Sequence, residues 1–517
     1  MQPLTTSIYT FEKLRGGGFL YVDKTEAIHR MLEPPFAQYF LSRPRRFGKS
    51  LLISTLKAIL QGRRDLFEGL AVDALLDDWT PRPVIHLDLG ARAADNVEEL
   101  EENLLRAVRS AADTLGIDVS ASRSYQAFED LICAAAKTHA SVVILVDEYD
   151  KPLLGHLGKE SAKPIRQLLK QFYAVIKATE PHQRFVLITG VSKFSKVSVF
   201  SDLNNLTDLT LSRSTATLLG YTQEELEQNF PDYIDRLAAR EGVDCDEVLA
   251  RLADWYNGYR FEETAPTVYN PVSVMKCLQE EKFKNYWFET GTPTFLVELL
   301  RERGVDLTAL EQDLVSEESF STYEVDRLEP LPLLVQTGYL TIGEAVKRGE
   351  RRFYRLRYPN FEISQSFTSW LAEAYSDIPV QRVDSSLNRI VDALNAGDID
   401  GFFRTFYLFF SGVPNDIHLR HEKYYQSIIY VVFKLIGFLI TAEARTNIGR
   451  ADAVVETEDR VYVIELKLND TAEAAMKQIR EKRYFEPYLD RGKEILLVGA
   501  AFDVETRNIE RWLVERP

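Results

Sequence analysis

The sequence predicts an α/β protein of roughly three domains, and three observations carry that expectation. At about 150 residues per domain, 517 residues are more than one hydrophobic core organises. The first 210 or so residues alternate apolar strands with helical patterns, the rhythm of a parallel sheet covered by helices on both faces. From residue 415 onward the order is helix, strand, strand, helix, strand, a second and smaller α/β pattern beyond a helical middle.

Four N-terminal strands are predicted, over 37–41, 83–89, 141–146 and 184–189. The last two are nearly continuous in β-branched residues, as strands buried on both faces require. Helical patterns follow, including 49–60 and 97–115. From about 218 to 300 the periodicity turns helical, with Thr222 ahead of Glu224 and Glu225 as a helix start. Over 331–367 a helix precedes two short strand patterns, 339–342 and 353–358, a helix followed by a two-stranded wing. Residues 369–405 read as helical. The last domain is predicted as 422–439 helix, 450–455 and 461–467 strands, 472–488 helix and 494–499 strand, with no internal repeat at a fixed period. The expected division is 1–215, 216–370 for the helical and winged-helix-like region, 371–414 as helical linker, and 415–517.

Composition excludes several classes. With 45% apolar and 27% charged residues the chain is neither disordered nor low-complexity. A formal charge of -16 argues against a protein that coats nucleic acid non-specifically, so nucleic-acid contact must come from local basic patches. Cys133, Cys245 and Cys277 lie far apart without a CxxC pair, which fits a reducing compartment and offers no thiolate zinc site. Residues 1–11 lack the basic-then-apolar order of a signal peptide, and a cytoplasmic location is expected. The apolar stretch 424–441 is interrupted by Gln426, Ser427 and Lys434 and reads as a core helix, not a bilayer span; no membrane association is expected.

Arg43-Pro44-Arg45-Arg46-Phe47-Gly48-Lys49-Ser50 follows a predicted strand and opens a predicted helix, where a phosphate-binding loop belongs. Backbone N–H groups about Arg46 and Gly48 would cradle phosphates, Lys49 would reach the outer ones, and Ser50 would bind magnesium. The full pattern has glycine where this chain has Arg43. The plainer alternative is a solvated basic loop. A second element weighs against it: the strand 142–146 ends in Asp147 and Glu148, where Asp147 could hold the magnesium shell and Glu148 could polarise an attacking water. The next strand ends at Thr189, with Ser192 close behind; either could sense the terminal phosphate, and either could equally cap a turn. Gly16-Gly17-Gly18 reads as a turn.

Together, Tyr21-Val22-Asp23-Lys24-Thr25, the loop, Val146-Asp147-Glu148-Tyr149-Asp150, Thr189-Gly190-Val191-Ser192-Lys193-Phe194-Ser195 and Asp202-Leu203-Asn204-Asn205-Leu206 resemble the bacterial AAA-ATPase-like family, over most of residues 1–300. The resemblance implies an additional-strand P-loop ATPase fold binding ATP, and a family in which a C-terminal nuclease-like domain is common.

The C-terminal pattern is Arg450-Ala451-Asp452, a turn over 456–460, and Val461-Tyr462-Val463-Ile464-Glu465-Leu466-Lys467. Glu465 and Lys467 are two apart on a strand and share a face. Asp452 and Glu465, with the Leu466 carbonyl, are an oxygen set suited to Mg²⁺ or Mn²⁺. Lys467 would orient the attacking water and stabilise charge on the phosphate. An isolated match of this kind is weak, and a strand-end carboxylate is often a surface residue. The pattern resembles the PD-(D/E)XK nuclease superfamily, of restriction-endonuclease-like α/β fold, over about 415–510. That resemblance implies Glu422 as the acid of the first helix and Gln478 with Lys482, near Tyr484, as a later motif. Ala451 stands where the motif has proline. His418 and His421 are too few for zinc.

The expected function is an ATP-binding, metal-dependent nuclease acting on DNA, gated by its ATPase and assembling as a homo-oligomer, with defence against foreign DNA as family analogy. Arg213 is one of many arginines that a neighbouring copy could contribute. The alternative is a nucleotide-switched nucleic-acid-binding or remodelling protein with an inactive nuclease fold.

Overall fold

The structure, a computed structural model, describes the chain except residues 91–93, 140, 158, 194–204, 291–293, 304, 308–309, 312–313, 321–329, 413–421, 440–452, 504–505 and 507. It divides into two compact units, Met1–Glu289 with Leu314–Glu362, and Thr290–Asp313 with Ile363–Pro517.

The first unit is built on five strands: β1 Ala37–Ser42, β2 Val84–Asp88, β3 Val142–Asp147, β4 Gln183–Gly190 and β5 Thr207–Asp208, in the order β2-β3-β4-β1-β5. Every described pairing is parallel. All six residues of β3 are buried, which explains its unbroken apolar run. The four predicted strands are present within a residue or two, and the helices Lys49–Leu60 and Val97–Leu115 match their expected limits. The decisive feature is that β4 lies between β1 and β3. The strand that follows the two acids in sequence therefore separates them from the loop strand in space.

Beyond the sheet, the helices Gln223–Asn229, Pro231–Glu241, Cys245–Tyr256 and Pro271–Glu280 pack around Phe230, Leu237, Tyr256 and Tyr269. The first opens on a reciprocal capping box: the Glu225 N–H donates to the Thr222 hydroxyl, and the Glu225 carboxylate accepts the Thr222 N–H. The wing differs from expectation. The helix Pro330–Thr337 is followed by β7 Thr341–Arg348 and β8 Arg351–Arg357, but β6 Leu314–Ser316 adds to the other side of β8, giving a three-stranded sheet in the order β6-β8-β7. A three-residue strand far back in the chain carries too little periodicity to be read from sequence.

The second unit carries the helices Phe361–Ser376, Val380–Ala396, Ile399–Ser411 and Glu422–Leu439 and a four-stranded mixed sheet. Its strands are β9 Ala453–Glu456, β10 Arg460–Leu468, β11 Glu494–Asp503 and β12 Asn508–Glu515, in the order β12-β11-β10-β9. β12 was not anticipated. It is held as an edge strand by aromatic packing: Phe403 stacks on Trp512 at 4.7 Å, and Phe410 packs edge-on to Phe502 of β11 at 5.0 Å. The helix expected over 472–488 stops at Lys482, because Arg483 takes a left-handed conformation at φ 53° and Pro487 cannot continue a helix. Glu422–Leu439 is a core helix as expected, burying Ile428, Val431, Val432 and Ile436. Among the described residues no helix is long and apolar enough to cross a membrane.

Gly258 holds the wing to the helical bundle within the first unit. It sits at φ 99°, and a Cβ there would lie 1.8 Å from the Pro359 carbonyl oxygen. Gly258→Ala is expected to cost more than about 3 kcal/mol, against about 1 kcal/mol for loss of the cap in Thr222→Ala. Thermal melts of the two variants should separate clearly, and equal midpoints would show that the 258–359 contact is not tight.

Candidate nucleotide-binding and nuclease sites

β1 delivers the chain into the loop 43–48, and the helix Lys49–Leu60 starts from Gly48 at φ 90°. Lys49 is buried, and its Nζ donates to the carbonyls of Arg43 and Pro44 at 2.9 Å each. Burial pushes the Lys49 ammonium down from its ordinary pKa, and the charges of Asp147, Asp150 and Glu148 push it back up. Ser50 is half-buried on the first turn of the same helix.

Arg43, at the position where the full motif has glycine, turns into the protein. Only 1% exposed, it donates through Nη1 to the carbonyls of Ser42 and Thr210 and through Nη2 to that of Thr215, with its guanidinium 4.1 Å over the Phe261 ring. Burial lowers its pKa to about 9. Arg43 is therefore a clamp on the loop's entry. Arg46, at φ 64°, donates to the Tyr286 carbonyl at 3.3 Å, toward the helical bundle. Beneath that contact lies Glu362, which accepts the N–H groups of Tyr286 at 2.5 Å and Trp287 at 2.7 Å. Burial raises its pKa to about 7 against those hydrogen bonds and the Arg46 charge.

At the carboxyl end of β3, Asp147 Oδ1 accepts the Thr189 hydroxyl at 2.7 Å and the Glu148 N–H at 3.0 Å. The insertion of β4 makes this bond possible, since Thr189 is its penultimate residue. Glu148 takes a left-handed conformation at φ 50°, unusual for a side chain with a Cβ, and burial raises its pKa. Lys49, Asp147 and Glu148 thus gather beyond the carboxyl ends of the sheet's inner strands. Ser192 is engaged otherwise: its hydroxyl and its N–H donate to Asp150 Oδ2 at 2.6 and 2.7 Å. Asp150, fully buried, also accepts the Val191 N–H at 3.1 Å, and burial raises its pKa. Sequence reasoning overlooked Asp150. The signal was a third acid two residues past Glu148, on a face that only the turn after β3 defines.

In the second unit, β9 runs antiparallel to β10 with Ala453 opposite Ile464, and β10 runs parallel to β11 with Glu465 opposite Gly499. Glu465 is 2% exposed. Lys467 Nζ donates to Glu465 Oε1 at 3.0 Å and to Gln478 Oε1 at 2.5 Å, while Gln478 Nε2 donates to Glu465 Oε1 at 2.5 Å and to the Tyr484 hydroxyl at 3.2 Å. Gln478 comes from the helix Ala472–Lys482, which lies against β10 and β11. A second overlooked residue permits this approach. A Cβ on Gly499 would lie 2.7 Å from the Ala472 carbonyl oxygen and 2.8 Å from the Met476 nitrogen. Asp452 lies outside the described residues, as does the side chain of Glu422, whose backbone opens the helix Glu422–Leu439. Among the described residues no group of three metal-ligating side chains converges. The Glu465 carboxylate and Leu466 carbonyl are the oxygen donors Mg²⁺ or Mn²⁺ prefers, and the same preference fits Asp147 and the Ser50 hydroxyl.

A five-stranded parallel sheet with a strand inserted between loop and acids, together with a mixed sheet bearing Glu465 and Lys467 under a helix bearing Gln478, defines a protein that joins an ATPase-type unit to a nuclease-type unit. Residues 5–200 match the family model described as predicted AAA-ATPase, and residues 420–512 match that of the PD-(D/E)XK nuclease superfamily. A relative from Azotobacter chroococcum mcd 1, described as an uncharacterized protein in the vnfD 5' region, is 38% identical over 523 residues, covering 99% of this chain and 98% of its own length. The ORC2 protein of Aeropyrum pernix, solved in ADPNP and ADP complexes, is 12% identical with 64% of this chain and 87% of its own covered; its TM-score of 0.26 carries no argument. The chain belongs to the bacterial AAA-ATPase-like family with a C-terminal PD-(D/E)XK nuclease superfamily domain.

Two outcomes follow from this geometry. Because the Glu362 pKa is raised in the folded state, its stabilising effect is complete at pH values below the ordinary carboxylate pKa and is lost as pH rises through about 7. Glu362→Gln should remove a loss of about 3 kcal/mol between pH 5 and 8, read as a wild-type-minus-variant difference in melting midpoint; a difference independent of pH would contradict it. Gly499→Ala should push the helix Ala472–Lys482 outward at a cost of about 1–3 kcal/mol. It should separate Gln478 from Glu465 and lower any cleavage activity while ATP binding persists; unchanged cleavage would show that this close packing does not position Gln478.

Proposed function

We propose that the chain is an ATP-binding, divalent-metal-dependent nuclease that hydrolyses nucleic-acid phosphodiester bonds, with DNA as the expected substrate and the nucleotide state of the ATPase unit governing cleavage. The convergence of Lys467 and Gln478 on one oxygen of the buried Glu465 carboxylate is the observation that carries this reading.

Asp452 is bonded to Ala453, whose ladder partner Ile464 is bonded to Glu465. Asp452 and Glu465, thirteen residues apart in the sequence across one turn, are the two carboxylates we assign to the site. Together with the Leu466 carbonyl they would hold Mg²⁺ or Mn²⁺, which supplies Lewis-acid polarisation of the phosphate and a water of lowered pKa. Gln478 fixes the Lys467 ammonium beside Glu465, where it can orient the attacking water and stabilise the charge that develops on the phosphate oxygens. Glu422, opening its helix, is assigned to the same site through the family pattern.

In the ATPase unit, the backbone around Arg46 and Gly48 would receive the phosphates. Lys49 would exchange its two loop carbonyls for phosphate oxygens, Ser50 and Asp147 would hold Mg²⁺, and Glu148 would polarise water. Ser192, whose N–H and hydroxyl both donate to Asp150, would respond to the outcome only by way of that carboxylate. Self-association and a role in defence against foreign DNA enter by family analogy alone.

The test is incubation with supercoiled, linear and single-stranded DNA and with RNA, in Mg²⁺ or Mn²⁺, with and without ATP. Asp452→Ala and Lys467→Ala should each lower cleavage by about 100-fold or more, and Lys49→Ala should abolish any ATP dependence. Cleavage persisting in both nuclease-site variants would overturn the assignment.

A further inference from the structure

The hairpin β7–β8 is the basic exception on an acidic chain. Residues 341–357 hold six cations, Lys347, Arg348, Arg351, Arg352, Arg355 and Arg357, against Glu344 and Glu350, a local balance of +4 on a protein of -16. All six cations are exposed. Their carboxylate partners are weak ones. Lys347 meets Glu350 at 3.6 Å and Arg355 meets Glu344 at 3.8 Å, while Arg351 and Arg352 meet Glu318 and Glu263 at 3.1 and 2.9 Å. Apart from Glu263, these acids are mostly exposed, and such pairs exchange readily for another anion. Among the described residues neither Arg348 nor Arg357 meets a carboxylate. Arg357 lies instead beside a second cation, Arg260, whose charge adds to burial in pushing its pKa down.

The register makes the pattern costly for the hairpin itself. Lys347 stands directly opposite Arg352, and Arg348 directly opposite Arg351. Like charges across a strand pair are destabilising, so hairpin stability alone does not account for two consecutive pairs of them. On β8 the alternation sorts the residues from Phe353 onward, with Arg352 exposed at the turn end of the buried face. Tyr354 and Leu356 are buried on one face, while Arg351, Phe353, Arg355 and Arg357 line the other. Phe353 is half-buried within that row, with the Arg351 guanidinium 5.6 Å over its ring. A row of guanidinium groups spaced two residues apart around an aromatic face is the chemistry that holds a nucleic-acid strand, phosphates on the cations and a base on the ring.

We infer that the outer face of β8, Arg351, Phe353, Arg355 and Arg357, is a nucleic-acid-binding surface of the first unit, one that takes a single strand through its phosphodiester backbone and stacks a base on Phe353. The inference rests on the nucleic-acid substrate proposed above and assigns it a grip outside the cleavage site.

The full-length protein is titrated by fluorescence anisotropy against a labelled single strand and the matching duplex, in chelator so that nothing is cut, over a range of KCl. Replacing Arg351, Arg355 and Arg357 together by alanine should weaken single-strand binding by about tenfold or more and flatten the slope of log K against log salt by about 2. The corresponding triple lysine variant should recover most of both. Phe353→Ala should weaken the single strand more than the duplex. Binding of a fluorescent ATP analogue and the melting midpoint should stay at wild-type values. If the alanine triple melts early, Arg355→Gln and Arg357→Gln, made singly, carry the test at about 0.7 slope units each. Wild-type affinity and slope in the arginine-depleted variants would overturn the inference. So would failure of the lysine rescue, or a wing-dependent affinity for phosphatidylglycerol vesicles that equals that for the single strand. Cleavage of a short oligonucleotide in Mg²⁺ separates the two proposals: a wild type that binds through the wing but cuts nothing sinks the nuclease and leaves the surface, and a wing variant that binds and cuts as wild type does the reverse.

Discussion

Lys49 is a buried ammonium among three carboxylates, and the ATPase unit is arranged around keeping that combination stable. An ammonium without hydrogen-bond partners in the interior would be prohibitively costly. The loop turns two of its own carbonyls onto it, and the sheet order brings Asp147, Asp150 and Glu148 close enough to offset part of its desolvation. Two of the acids are stabilised in turn by donors from or just beyond the strand between, Asp147 by Thr189 and Asp150 by Ser192. Inserting β4 between β1 and β3 is what supplies those donors. Without it the acids would face the loop with one cation among three negative charges and no neutral dipoles to relieve them. Arg43 serves the same end from outside, fixing the loop's entry through three carbonyls and an aromatic face.

The second unit meets the same problem by a different route. Its key carboxylate, Glu465, lies on a strand inside a mixed sheet, and relief comes from the strand's own face and from the covering helix. Lys467 supplies charge at a spacing of two; Gln478 supplies a dipole that ties lysine and glutamate together. That arrangement is preorganised because the helix can come no closer and, with Gly499 beneath it, need stay no farther. Both units therefore place a carboxylate on a buried strand, Asp147 at the end of β3 and Glu465 within β10, and secure it with a neighbour from another element.

Charge is distributed with the same economy. A net charge of -16 discourages indiscriminate contact with polyanions, while the hairpin β7–β8 concentrates six cations in seventeen residues. Several exposed arginines elsewhere are engaged by nearby acids, as in the pairs Arg63–Asp65 and Arg64–Asp73. A local patch on a repulsive background favours one mode of approach over many.

Much of this was legible in the chain. Strand identity followed from apolar runs, the placing of loop 43–48 between strand and helix from the change of pattern around it, and the shared face of Glu465 and Lys467 from the two-residue period of a strand. These are short-range properties, set by covalent geometry and the sequence neighbourhood. What the sequence could not settle were contacts between residues far apart: β6 joining a wing across the intervening chain, β12 completing a sheet through Phe403 and Trp512, Asp150 gathering the N–H groups of Val191 and Ser192, and Arg43 turning inward to Thr210 and Thr215. Gly499 looked like any other strand glycine until a helix lay 2.7 Å from where its Cβ would be. Local sequence determined which elements form and which side chains each can present. Only tertiary packing decided which presented groups meet, because burial energies and hydrogen bonds between distant segments arise once the chain has folded back on itself.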